Sequence, residues 1–170
     1  MNTNRQWLLA KRPFGEVGKE NFEYAETPIP EPGDGEVLVR NLFLSFDPTQ
    51  RGWMEDRESY LPPVQLGEPM RAGSVTESNH PDFATGDLVQ TTGGWQDFVI
   101  ASPGQGPMGL SKVPDGLSPE MMMSVLGVTG LTAYWGLLDL GGPRAGETVL
   151  VSGAAGATGS VAGQIAKIKG

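Results

Sequence analysis

The sequence predicts a mainly β fold, a small and partly open β-barrel, followed by the first β-α unit of an incomplete α/β domain. Up to residue 117, turn-forming residues recur about every ten positions and separate short apolar or alternating runs, which is typical of a strand meander. Beyond residue 117 the apolar segments become longer, and their pattern is typical of helices. Residues 148–170 then combine an apolar run, three glycines and an amphipathic segment, which indicates a strand, a turn and a helix.

The β region contains six predicted strands. They cover residues 6–12, 21–27, 36–46, 72–77, 87–92 and 95–100. The strongest, 36–46, ends where Asp47 precedes a proline, because a residue in that position is disfavoured in helical geometry. Prolines and glycines make residues 28–35 a linker, and residues 84–87 are typical of a turn. Residues 49–60 favour a short helix or a loop, which the prolines at 62 and 63 end.

Two helices are predicted before the last strand. Ser118 offers an N-cap, a proline and a glutamate follow it, and the first helix continues to residue 126. Glycines interrupt the pattern at 127–130, and a second, largely buried helix covers 131–140. Glycines and a proline at 141–143 end that helix. The strand at 148–151 then leads into the glycine turn.

Composition excludes several classes of function. A net charge of −8 argues against a nucleic-acid or anionic membrane surface as partner. The chain has no cysteine, which excludes disulfides and cysteine-ligated zinc, and no metal site is predicted. His80, the one histidine, lies in a polar turn, so a histidine-based catalytic triad is not expected. No signal pattern or long apolar run is present, so the cytoplasm is the default location.

The glycine turn predicts a dinucleotide site. Gly153, Gly156 and Gly159 lie between an apolar strand and a helix with Val161, Ile165 and Ile168 on one face. In this order the glycines let the backbone approach a pyrophosphate, and free N–H groups at the helix start face it. An incidental tight turn is the alternative. A nucleoside triphosphate loop is rejected, because it needs a lysine directly after the last glycine.

Several short stretches, in order along nearly the whole chain, resemble one enzyme family. They are residues 4–7, 44–52, 59–63, 78–83, 94–97, 130–138 and 154–169. Together they are similar to the zinc-independent medium-chain dehydrogenase/reductases, in the branch of the leukotriene B4 12-hydroxydehydrogenase/prostaglandin reductases and the NADPH-dependent curcumin reductases. The resemblance implies a GroES-like catalytic domain at residues 1–120 and the start of a Rossmann cofactor domain at 121–170.

The resemblance also implies a reaction. A hydride from NADPH is added to the β-carbon of an α,β-unsaturated ketone or aldehyde, and the enolate is then protonated at the α-carbon without a metal. The implied partners are NADP(H) and a small enone or enal, and a homodimer is expected for the reason given below. The residues alone do not decide between NAD and NADP. The side chain that discriminates between them lies about 20 residues past the glycines, after the last residue of this sequence.

The family's cofactor contacts are carried over by position. Thr129 would lie near the nicotinamide, although some relatives have proline there. The pyrophosphate would be contacted by Gly153, Ala154, Gly156, Ala157, Thr158, Gly159 and Ser160.

Candidates for the substrate cleft come from the β region: Asp47, Thr49, Arg51 and Trp95. Thr49 replaces a family tyrosine that often lines the cleft. Asp47 and Arg51 are spaced to form a pair on a helical turn, either as a structural clamp or as a cofactor contact. Trp95, like Trp53, either lines the cleft or fills the barrel.

Tyr60 is the candidate catalytic residue, either as a partner of the enolate or as the proton donor. A phenol with a pKa near 10 stays protonated at neutral pH and can donate a hydrogen bond to a developing oxyanion. The alternative is a partly buried structural tyrosine beside the prolines at 62 and 63.

Because a Rossmann domain needs several more strands, the sequence is expected to be an N-terminal fragment that does not turn over alone. An unpartnered strand at 148–151 and the apolar helix at 131–140 are expected to drive self-association. The alternative is a non-catalytic interaction module that has lost its cofactor domain, but such a scaffold has no need for the glycine turn.

Overall fold

The computed structural model describes residues 3–78, 83, 86–104 and 109–170, without the side chains of 74–78. His80 and the turns predicted around it and at Ala84 and Thr85 therefore lie outside the described residues. The chain divides into two compact units, Met1–Pro114 and Asp115–Gly170. All described strands belong to the first unit.

The first unit contains two antiparallel sheets. The smaller pairs β1 (Thr3–Leu9) with β2 (Phe22–Pro28) along their whole length. The larger has the strand order β6-β3-β4-β5-β7. Its strands are β3 (Val37–Leu44), β4 (Ser74–Ser78), β5 (Leu88–Thr91), β6 (Phe98–Ala101) and β7 (Ser111–Lys112). The described strands do not close into a barrel, which agrees with the partly open barrel predicted.

The six predicted strands exist with shifted ends, and β7 was missed. β7 is a pair of exposed polar residues with no apolar alternation, so no local pattern could predict it. It is a strand because Val89 and Gln90 of β5 provide its partners. A short α1 (Thr49–Trp53) follows β3, as one of the two predicted alternatives.

The core of the first unit consists of two clusters. β3 contributes to one of them through Val37 and Val39, which alternate inward and are fully buried. That cluster is Val37, Val39, Phe83, Val89 and Leu110, and the other is Leu9, Trp53, Met54, Val64 and Met70. Apolar burial of this kind contributes about 25 cal/mol per Å² removed from water.

The second unit is helical. It contains α2 (Pro119–Met123), α3 (Val128–Trp135), a π-helical turn (Gly136–Gly141) and α4 (Ala157–Lys169). Ser118 caps α2 as predicted, since its hydroxyl oxygen accepts the Met121 N–H at 3.3 Å. Gly142 ends the π-helical turn in the left-handed region, at φ 54°. α3 packs against α4.

Two sequence predictions for this unit are wrong. Residues 148–151 do not form a strand, and Leu150 is 95% exposed. A parallel strand takes its hydrogen bonds from neighbouring strands, and no described residue pairs with this segment. The helix predicted at 131–140 starts at Val128, and most of its large apolar side chains are exposed instead of buried, while Leu137 and Leu138 are partly buried. On α4, whose helix was predicted, Val161 and Ile165 are partly buried and Ile168 near its end is exposed.

Within the described part of the chain, no helix combines the length and the apolar composition that crossing a bilayer requires.

Candidate functional site

The glycine turn and the start of α4 are built by close backbone approach. Gly153 has φ +64°, in the left-handed region that favours glycine. The Gly156 N–H donates to the Gly153 carbonyl oxygen at 2.9 Å. A Cβ on Gly159 would overlap that same oxygen and lie 3.0 Å from the carbonyl carbon. Only glycine therefore lets the first turn of α4 pack directly on the loop.

The N-terminus of α4 is open to solvent. Gly156 is its extended N-cap, and no described side chain caps the helix. The first helical bond runs from the Ser160 N–H to the Gly156 oxygen at 2.9 Å, which leaves the N–H groups of Ala157, Thr158 and Gly159 without a backbone acceptor. Residues 152–157, including Ala154, are exposed. Free N–H groups and the helix dipole favour an anion at this end.

Thr129 lies in the first turn of α3. Its hydroxyl donates to the Ser124 carbonyl oxygen at 3.1 Å, so this oxygen keeps lone pairs that can accept from a ligand. The loop before it is tight, because a Cβ on Gly130 would overlap the Val125 carbonyl and one on Gly127 the Met122 carbonyl. These two glycines hold α2 and α3 close together and fix the start of α3.

The predicted pairing of Asp47 with Arg51 is wrong. Arg51 Nη1 donates to Glu55 Oε1 at 2.8 Å, and its Nη2 donates to the Gly15 carbonyl oxygen at 3.1 Å. Glu55 lies four residues C-terminal to Arg51, about one helical turn away. Asp47 precedes the start of the helix, and its backbone carbonyl oxygen accepts the Gln50 N–H at 3.0 Å. Thr49 is the first residue of α1 and is exposed.

Tyr60 stands at the surface. Its side chain is 72% exposed, so the alternative of a partly buried tyrosine does not hold. Its ring meets the edge of Trp53 at 6.4 Å, and its hydroxyl has no hydrogen-bond partner among the described residues. The phenol is therefore free to donate to a ligand.

The two tryptophans left open by the sequence have different roles. Trp53 is a buried member of the core. Trp95 is partly buried, and its ring lies 5.2 Å from that of Phe22 and 5.4 Å from that of Phe46. Its indole N–H is buried without a partner in the described residues.

Comparison with known proteins decides the family. Residues 5–110 match the family described as the N-terminal domain of oxidoreductase. The chain belongs to this family.

The matches to close relatives extend over both units of this chain. It is 47% identical over 170 residues to the NADPH-dependent curcumin reductase of Escherichia coli K12, covering 98% of this chain and 48% of that protein. It is 39% identical over 166 residues to bovine prostaglandin reductase 1, with 98% and 49% covered. Among solved structures, that of CurA from Vibrio vulnificus in complex with NADPH superposes with a TM-score of 0.86 at 44% identity, covering 98% and 49%.

The chain thus spans about half the length of the curated relatives it matches. The resemblance predicted from the sequence is confirmed, since these relatives are the curcumin and prostaglandin reductases of the medium-chain dehydrogenase/reductases.

In this oxidoreductase domain, sequence reasoning missed an ion pair beside Trp95. Arg5 Nε donates to Asp97 Oδ2 at 2.6 Å, and Arg5 Nη2 donates to Asp97 Oδ1 at 3.0 Å. The Asp97 N–H donates in return to the Arg5 carbonyl oxygen at 3.0 Å. Hydrogen bonds from Arg5 hold the pKa of Asp97 below its ordinary value. No local signal could find the pair, because its members are 92 positions apart.

This pair predicts a pH dependence of stability. Because the pKa of folded Asp97 lies below the unfolded value of about 3.9, the stabilisation is full above that value and is lost as the pH falls through the folded pKa. We expect Asp97→Asn to lower the midpoint of urea unfolding at pH 7. Below about pH 4 the difference in midpoint between the variant and the parent should shrink as the pH falls. Asp34→Asn, at an exposed turn carboxylate, is the control and should match the parent. A difference that stays constant down to pH 2 would contradict the assignment.

Proposed function

We propose that the protein to which this chain belongs is an NADP-dependent reductase of the C=C bond in α,β-unsaturated ketones and aldehydes. The observation that supports it most directly is the open N-terminus of α4 behind the glycine turn. Exposed N–H groups, the helix dipole and a glycine-only contact fit a pyrophosphate without any basic side chain. The chain's net charge of −8 is no obstacle to such a site.

In this proposal, the second unit holds the cofactor. The pyrophosphate is contacted by Gly153, Ala154, Gly156, Ala157, Thr158, Gly159 and Ser160. Thr129 lies near the nicotinamide and acts as an acceptor for its carboxamide N–H, because its own proton is already donated to Ser124. When bound, the cofactor supplies the hydride. NADP is favoured over NAD because the relative from E. coli is named NADPH-dependent and the CurA structure contains NADPH.

The first unit supplies the substrate side. Tyr60 donates a hydrogen bond to the substrate oxygen as negative charge develops there, which stabilises the enolate until its α-carbon takes up a proton from solvent water. Asp47, Thr49, Arg51 and Trp95 shape the cleft, with Arg51 held by Glu55 and the Gly15 carbonyl. A sequence without cysteine supports a reaction without zinc. We retain residues 1–120 as the catalytic domain and 121–170 as the start of the cofactor domain.

Since the chain spans about half of its relatives, we expect it to bind NADPH without turnover when tested alone. The exposed apolar side chains of the second unit, including Leu131, Trp135 and Leu140, favour the self-association expected from the sequence.

The function is tested with a chimera. This chain replaces the matching half of the E. coli curcumin reductase, to which it is 47% identical. We expect the chimera to consume NADPH when curcumin or a 2-alkenal is added. In parallel, NADPH titration of the 170-residue chain tests the cofactor site independently of chimera folding. A chain that binds no NADPH and a folded chimera without activity would overturn the proposal.

Tyr60→Phe tests the catalytic assignment in the same chimera. Loss of the hydroxyl should lower kcat about tenfold or more and leave the affinity for NADPH unchanged, because an oxyanion donor acts in the transition state. Tyr134→Phe, a half-exposed tyrosine of α3, is the control. An unchanged kcat for Tyr60→Phe would show that Tyr60 has no catalytic role.

A further inference from the structure

A groove with aromatic walls lies entirely within the first unit. Its volume is about 630 Å³, which is in the usual range of small-molecule sites, about 300–1,000 Å³. The apolar part of its lining consists of Trp7, Phe22, Tyr24, Leu44, Phe46 and Trp95. Nothing in the proposed reaction uses this groove as such, apart from Trp95.

The rings leave flat surface uncovered. Trp7 and Tyr24 meet edge to face at 5.4 Å, and the ring of Trp95 lies 5.2 Å from that of Phe22 and 5.4 Å from that of Phe46. Phe46 is nevertheless 79% exposed, and about half of the Trp7 surface is also open. Such rings gain free energy when a further aromatic ring covers them, beyond the gain from area burial alone.

The polar groups of the groove select the charge of its occupant. Arg5 is neutralised by Asp97 through two hydrogen bonds. The Gln96 amide is largely engaged: its oxygen accepts from Asn4 and Gln6, and one of its two N–H groups donates to the Gly93 carbonyl. Lys19 lines the same groove and makes no ion pair with any described residue. The three charged residues of the lining, Arg5, Lys19 and Asp97, therefore sum to one positive charge, and the Glu26 carboxylate beside them accepts from the Tyr24 hydroxyl at 2.8 Å.

We propose that this groove binds a small aromatic carboxylate, with its flat ring against Phe46 and Trp95 and its carboxylate at the Lys19 ammonium. The aromatic walls set the shape of the ligand, and the positive charge of the lining sets its sign. The inference shares only Trp95 with the proposed reductase function, and its test involves neither NADPH nor turnover.

Isothermal titration of the 170-residue chain with 2-naphthoate, and with the neutral 2-naphthamide, tests the site. We expect saturable binding at one site, tighter for the carboxylate. Lys19→Gln should weaken naphthoate about three- to tenfold and leave the amide unchanged, and added salt should have the same selective effect. Phe46→Ala should weaken both ligands about tenfold, because the ring that covers them is removed.

Two matched variants separate the groove from general surface effects. Phe14→Ala removes a fully exposed ring outside the groove, and Lys11→Gln removes an exposed lysine outside it. Both should bind like the parent. The proposal is overturned if naphthoate does not saturate, if Phe14→Ala weakens binding as much as Phe46→Ala, or if the amide binds as tightly as the carboxylate. Apparent affinity that falls as the protein concentration rises would show a second copy in the groove, which also overturns it.

Discussion

Replacing Gly159 with alanine is expected to weaken NADPH binding more than tenfold. The new Cβ would overlap the Gly153 carbonyl oxygen, which is backbone and cannot rotate away as a side chain would. The loop and the first turn of α4 must separate, and the free N–H groups of Ala157, Thr158 and Gly159 then no longer converge on one anion. The measurement is a fluorescence titration with NADPH, on the 170-residue chain and on the chimera.

Gly163→Ala is the matched control in the same helix. A Cβ on Gly163 meets no other atom within 4 Å, so the turn keeps its geometry. Alanine is also the better helix former, by about 1 kcal/mol, so this variant should be slightly more stable and bind NADPH like the parent. Equal losses in both variants would mean that general helix damage, rather than the shape of the turn, explains the effect.

Replacing Gly94 with alanine is expected to cost about 2–4 kcal/mol of unfolding free energy. Gly94 is buried with φ +72°, and a Cβ there would lie 2.6 Å from the Met70 carbonyl oxygen. That oxygen accepts the backbone N–H of Trp95 at 2.7 Å, and the Gly94 carbonyl oxygen accepts from the side-chain amide of Asn41 at 3.1 Å. The substitution therefore combines left-handed strain with a backbone overlap at the point where Trp95 is held.

Gly67→Ala separates the two contributions. Gly67 has φ +84°, but a Cβ there meets nothing within 4 Å, so this variant carries only the conformational strain of about 1–2 kcal/mol. Urea unfolding followed by far-ultraviolet circular dichroism compares the two. If Gly94→Ala costs no more than Gly67→Ala, the packing of Gly94 against Met70 is looser than described.

Much of the first unit could be predicted because its signals are local. Val37 and Val39 alternate with their neighbours, which predicts a strand with one buried face, and both are fully buried in β3. Ser118 followed by a proline predicts a helix start, and its hydroxyl oxygen caps α2. The turn and the start of α4 were predicted for the same reason, since glycine spacing and helix-forming residues are both contained in a dozen positions.

The failures have a common cause in contacts between distant positions. Residues 148–151 are apolar enough for a strand, but a parallel strand exists only beside a partner, and the described residues provide none. Asp47 and Glu55 are each four positions from Arg51 along the chain. Asp47 precedes the start of α1, so the ion pair forms with Glu55 instead. The same reasoning applies to β7, which is a strand only because β5 lies beside it.

The amino-acid sequence by itself determined the meander of short strands, the glycine turn before α4, the family and the absence of any cysteine ligand. These follow from periodicity, backbone freedom and composition, which act over a few neighbouring residues. Only the tertiary structure decided that Arg5 binds Asp97, that Trp53 is buried while Tyr60 is free, and that an aromatic groove with an unpaired Lys19 exists. Each of these depends on which distant segments fold against one another, because hydrogen bonds and burial are properties of the contact and not of either residue alone.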